Sequence, residues 1–161
     1  MSETPQRRAV SRLCFAEQIL VWGTRAWLTG SSGQGRVRAE FGRALGAAEG
    51  HATAAALGDF LAVLNSAAVR TMYIGPMSCR MVWPDEERIL AAIRYLHAER
   101  PDAALRVLDQ VLPPAAQRVA LEHAGTLAGQ LAGAGYRVGF GGPLSPEVGA
   151  LAMASPGPTI H

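Results

Sequence analysis

Apolar residues recur at spacings of three and four from Gln6 to about Thr29, through Val10, Leu13, Cys14, Leu20, Val21, Trp27 and Leu28, and this period predicts a first helix. Placed at about 100° per residue, these side chains form one broad arc, and Glu17 and Thr24 fall inside it. Phe15, Ile19, Trp22 and Ala26 make a second apolar group on the opposite side. A helix that is apolar on two sides has to be covered on two sides. Either it runs through the centre of the domain or one face meets another subunit.

Further elements follow from the same pattern and from its interruptions. Gly30 to Gly35 reads as a flexible loop, Val37 to Ala48 as a second helix and Ala52 to Val69 as a third, with Gly50 as the break and Leu57, Phe60, Leu61 and Leu64 as the buried stripe. From Arg70 to Trp83 the helical period disappears in favour of β-branched, aromatic and turn residues, which predicts an extended segment with a hairpin around Gly75 and Pro76. Pro84 and the acidic run Asp85, Glu86 and Glu87 open a fourth helix that lasts to about Glu99, because negative charge in a first turn opposes the helix dipole favourably. Pro101 breaks the chain before a fifth helix, Asp102 to Leu112. Pro113 and Pro114 open a sixth, Ala115 to Ala132, with Val119, Leu127 and Leu131 facing inward. Beyond Gly133, alternation of Tyr136, Val138 and Phe140 suggests one short strand, and Ser145-Pro146-Glu147 a last short helix to about Ala154. The expectation is one domain over residues 1–161, all-α or nearly so, a bundle-like array of five to six helices with one short extended segment. Residues 1–5 are expected to be disordered and 155–161 to form a loose tail or arm.

Composition adds an exclusion. The 15 basic residues of this 161-residue chain are all arginine, so lysine is absent. That removes Schiff-base lysines, lysine general bases and the phosphate lysine of a P-loop, each of which needs a primary amine. Up to Leu45 there are seven arginines against three acidic residues, a net of +4 that leaves −2 for the rest of the +2 chain. Such asymmetry steers acidic partners. Nucleic acid is disfavoured, since no basic run exceeds Arg7 and Arg8 and no aromatic patch is interleaved with one. The apolar stretch Leu13 to Leu28 is interrupted by Glu17, Gln18, Thr24 and Arg25 and is shorter than the roughly 20 residues of a membrane span. Two separate cysteines without a secretory leader point to a reducing cytoplasm.

The candidate chemistry is sparse. Histidines and cysteines occur singly, with no paired spacing that presents two metal ligands from one turn, so no metal or other cofactor is expected. Glu17, in an apolar arc with Thr24 about two turns on, reads as an acid, base or ligand-holding carboxylate, or as half of a structural ion pair with an arginine from another helix. Cys79 precedes an acidic helix start, and with His97 it forms the best nucleophile hypothesis; the competing reading is a small buried apolar side chain. The ligand-binding candidates are therefore Glu17, Thr24, Arg25, Cys79 and His97. The leading expectation is a non-enzymatic interaction or regulatory protein acting as a homodimer through its first helix and C-terminal tail. The alternatives are a small-molecule-binding or enzymatic helical bundle with a pocket around Glu17, and an arginine-mediated nucleic-acid binder.

Overall fold

Six helices form where the period and the prolines place them, and a computed structural model describes residues 6–139 of the chain. They are α1 Phe15–Trp27, α2 Ser31–Leu45, α3 Ala47–Ala67, α4 Pro84–His97, α5 Pro101–Asp109 and α6 Pro114–Gly133. Proline opens α4, α5 and α6, at the position where a missing N–H costs nothing. Among the described residues the only sheet-like pairing is a single antiparallel bridge between Ala9 and Met81. The all-α array of the sequence is the fold observed. No helix of the described residues is long and apolar enough to cross a membrane.

One continuous core joins the helices. In it α3 packs along α2 and α6, α4 lies against α5 and α6, and α1 touches α2, α3 and α4. The two-sided apolar character of α1 is thereby explained inside one chain: Ile19, Leu20, Trp22 and Ala26 are all buried, and Trp22 meets Phe41 with ring centroids 6.5 Å apart. Its second face needs no partner subunit.

Several boundaries differ from expectation, each for an identifiable physical reason. The first helix begins at Phe15, because residues 6–9 run extended and exchange backbone hydrogen bonds with the 80–82 stretch: Val10 N–H donates to the Arg80 carbonyl (2.8 Å) and Val82 N–H to that of Arg8 (2.9 Å). The glycine-rich stretch is helical from Ser31. Gly30 turns the chain at φ 107°, and a Cβ at Gly33 would fall on the Ala26 carbonyl, so glycine there permits close approach. The break between α2 and α3 lies at Gly46, φ 97°, while Gly50 sits inside α3 against the Phe41 backbone. Pro76 and Cys79 do close a turn (Cys79 N–H to Pro76 carbonyl, 3.0 Å), but the segment pairs with residues 6–9 and makes no hairpin with itself.

The buried stripe of α6 is Ala120, Ala124, Leu127, Ala128 and Leu131, while Val119 is 43% exposed. Helices that pack this closely favour alanine over valine at the contact. Residues 136–139 form no strand, and Val138 N–H instead bonds His97 Nδ1 (2.9 Å). The expected disordered start, the Ser145 helix and the 155–161 tail lie outside the described residues.

Candidate functional site

A non-helical stretch of backbone, residues 68–83, crosses the helix array between α3 and α4. Apart from its two ends, where Ala68 N–H donates to the Leu64 carbonyl and the Trp83 carbonyl accepts from Glu87, its N–H and carbonyl groups lack helical partners, so something else has to satisfy them. Buried charges do so. Arg25 of α1 and Glu86 of α4 form a fork-to-fork pair, Nε to Oε1 at 2.6 Å and Nη2 to Oε2 at 2.9 Å, with side chains 1% and 0% exposed. The same guanidinium donates to the carbonyls of Cys79 (2.6 Å) and Met81 (2.9 Å). The same carboxylate accepts N–H from Gly75 (3.0 Å) and Trp83 (2.7 Å). One ion pair thus holds four backbone groups of the segment as well as the first turn of α4.

Asp85 repeats the arrangement one residue earlier. It is fully buried, takes Arg70 through both oxygens (3.0 and 2.8 Å), Arg88 at 3.0 Å and the Tyr73 N–H at 2.5 Å. Burial works to raise its pKa, but hydrogen bonds from Arg70 and Tyr73 and the charges of Arg70 and Arg88 outweigh it and hold the carboxyl below its ordinary range.

Glu17 lies in a third cluster. It accepts from Arg8 Nη2 and Arg94 Nη2, both 3.1 Å, and its second oxygen accepts from Cys14 N–H at 3.0 Å, capping α1. Arg8 is also paired with Glu87. Glu17 thus pairs with arginines from two other elements, and it lines neither of the two cavities described below.

The remaining sequence candidates are only partly brought together. Arg25 and Cys79 meet, through the Cys79 carbonyl. The thiol accepts from the Trp83 indole N–H at 3.2 Å. Hydrogen bonding to the Met81 backbone, then to Trp83, with the charge of Arg25 behind them, holds Cys79 below the ordinary thiol range against a smaller effect of burial. Cys14 is pushed the other way, chiefly by burial. His97 is not near Cys79. It stands at the opposite end of α4, about 20 Å along a helix rising 1.5 Å per residue. There Nε2 donates to the Ala128 carbonyl (2.8 Å) while Nδ1 accepts from Val138, so the ring ties α4 to α6 and to the 136–139 stretch. Thr24 is buried, and its hydroxyl has no hydrogen-bond partner among the described residues. Sequence reasoning passed over Asp85 and Glu86 as dipole-facing acids. The available signal was Arg25, a guanidinium inside an otherwise apolar helix, which demands a buried partner.

Behind the clamped segment lies a cavity of about 490 Å³. Leu61, Leu64, Met72, Ile74 and Ile89 give it apolar walls, and Asn65, Arg70 and Thr71 supply its polar groups. Among the described residues no group of three or more His, Cys, Asp or Glu side chains is placed to hold a metal ion. Comparison with known proteins finds no matching family model, no matching curated protein and no matching solved structure.

Proposed function

We propose that the chain is a non-enzymatic binding protein of the cytoplasm that takes a small ligand, apolar in its body and polar at one end, into the cavity behind residues 68–83. One observation carries this reading: the buried carboxylates Glu17, Asp85 and Glu86 are committed to arginines and backbone N–H groups, and two of them, Asp85 and Glu86, hold the segment that walls the cavity through Arg70, Tyr73 and Gly75. Acid–base catalysis needs a carboxylate free to exchange a proton at a substrate; these are spent on architecture. A half-open pocket with apolar walls and a few polar groups, of a volume within the roughly 300–1,000 Å³ of small-molecule sites, has the anatomy of a ligand site.

A homodimer is the second reading, and it now rests on a different surface from the first helix. Val69 and Tyr73 on the clamped segment are 65% and 56% exposed, and Leu28 at the cavity rim is 47% exposed. Large apolar side chains left exposed in this way supply material for an interaction surface.

Titration of the full chain with the dye 1-anilinonaphthalene-8-sulfonate, followed by displacement with decanoate, tests the first reading. Saturable binding is expected in the wild type and a loss of tenfold or more in Ala68→Trp, which fills the cavity from a half-buried wall. Equal binding by both proteins, or none, overturns the pocket. Light scattering on the same samples addresses the second reading. A mass of twice 17.0 kDa that Tyr73→Glu halves supports the dimer, and 17.0 kDa at every concentration removes it.

A further inference from the structure

The basic bias of the N-terminal part acquires a place in the fold. Pinned by the bridge from Ala9 to Met81, the extended residues 6–9 lie beside the start of α4, and between them and α5 runs a surface groove of about 690 Å³. Three guanidiniums, those of Arg7, Arg8 and Arg88, line it against one carboxylate, Glu87. That carboxylate is already taken by Arg8, and Arg88 is turned toward the buried Asp85 and the Gln110 amide oxygen (2.8 Å). Arg7 makes no ion pair among the described residues; its guanidinium lies 5.0 Å over the Trp83 ring, which holds it out at the groove. The side chains of Arg8 and Arg88 remain 38% and 33% exposed. The groove thus presents more positive charge than its own acids neutralise.

Its other features select among anions. Pro84, Ala91 and Val107 make an aliphatic floor, and the side-chain amides of Gln6 and Gln110 flank it. From Pro84 to Ala91 the groove follows about 10 Å of α4, the length of about three extended residues. No aromatic face in it is free to stack a base, because Trp83 is covered by Arg7. Primary amides complement a peptide backbone, and planar guanidiniums match carboxylates in bidentate fashion.

We propose that this groove binds a short acidic peptide segment of a protein partner, with carboxylates on Arg7 and Arg88, backbone groups toward Gln6 and Gln110, and aliphatic carbons on Pro84, Ala91 and Val107. This site is separate from the cavity behind residues 68–83 and stands or falls without it.

Fluorescence anisotropy with a labelled peptide of alternating glutamate and leucine tests it on the full chain. The arms are its glutamine analogue, a single-stranded oligodeoxynucleotide of equal charge, and three variants. Arg7→Gln removes a groove charge that stacks on Trp83. Arg36→Gln removes an equal charge that stacks on Trp22 at 5.8 Å and does not line the groove. Ala91→Glu places a carboxylate on the floor. Saturable binding of the acidic peptide is expected, weakened by salt and absent for the glutamine analogue. Arg7→Gln should weaken it about tenfold, Ala91→Glu more, and Arg36→Gln less than twofold. Equal losses in Arg7→Gln and Arg36→Gln, tighter binding of the oligonucleotide, or no binding at low salt each overturn the proposal. Arg7 is an exposed residue, so its variant keeps the test valid if Ala91→Glu lowers the melting temperature.

Discussion

The region built on α2, α3 and α6 and the region built on α1, α4 and residues 68–83 are held by different means. In the first, helices satisfy their own backbones, and cohesion comes from close approach: Gly50 against the Phe41 backbone, the alanines of α6, and Phe41, Leu57 and Phe60 between them. In the second, the sixteen residues 68–83, of which only Gly75 and Val82 are buried, are laid across the core, and five of their backbone groups are satisfied by Arg25, Glu86 and Asp85. A protein can fasten irregular backbone to its core, then, if it buries paired charge beside it. Small residues suffice where the backbone looks after itself.

The sharpest way to break this comparison is Glu86→Gln. It leaves Arg25 as an unpaired charge at 1% exposure and turns an amide N–H₂ toward guanidinium donors. Loss of one partner of a buried pair costs about 3–5 kcal/mol, which for a chain of this size lowers the melting temperature by roughly 10 °C. Urea denaturation measures it directly. The double variant Arg25→Met, Glu86→Leu should not restore stability, although hydrophobic replacement of buried pairs often does, because two carbonyls and two N–H groups lose their partners together. A loss under about 1 kcal/mol in the single variant would mean that the segment is not held by charge.

The helical region is tested by a pair of glycines. Alanine normally improves a helix interior by up to about 1 kcal/mol. At Gly50 its Cβ would meet the Phe41 carbonyl and the Gly42 N–H, backbone atoms that cannot swing aside. Gly50→Ala should therefore cost about 1–3 kcal/mol through overpacking. Gly125 lies in α6 with nothing within 4 Å of a new Cβ, and Gly125→Ala should gain about 0.5–1 kcal/mol. Two similar changes of opposite sign, read from urea midpoints, would confirm that close approach holds this region. Stabilisation by both would refute it.

The same division decides what could be read from the sequence. The starts of helices α4, α5 and α6 were legible to within about a residue, since proline and acidic first turns act locally. The two-sided burial of α1 was legible too, but which surfaces cover it is a tertiary fact. Glycine misled twice: at Gly33 and Gly50 the missing side chain serves packing between helices, whereas a single sequence suggests a break. The pairing of residues 6–9 with Met81 joins positions more than seventy apart, and no local period signals it. Of the candidate site, Glu17 was singled out as a carboxylate in an apolar arc and Arg25 as a ligand-binding candidate, and both are buried. Their partners were not legible, because Arg94 and Glu86 sit in a helix whose charges look like an ordinary solvated face until α1 is laid against it.

The smallest effect comes from acid, and it separates Asp85 from its neighbours. The folded carboxyl titrates below its ordinary value of about 3.9, so its contribution is fully present above that pH and is lost as pH falls toward the folded-state value. Asp85→Asn removes this titration while every other acid remains in both proteins and cancels in the difference. The stability gap between wild type and Asp85→Asn should be constant from pH 7 to about 5 and should narrow as pH approaches 3, as read from urea midpoints. The change is modest because Arg70 and Arg88 keep 35% and 33% of their side chains in water, where solvent and salt screen them. A gap that stays the same at pH 3 would mean that hydrogen bonding to Tyr73 N–H and the guanidiniums, which asparagine can mimic only in part, matters at Asp85 while its charge does not. The charge-held region would then reduce to the Arg25 and Glu86 pair alone.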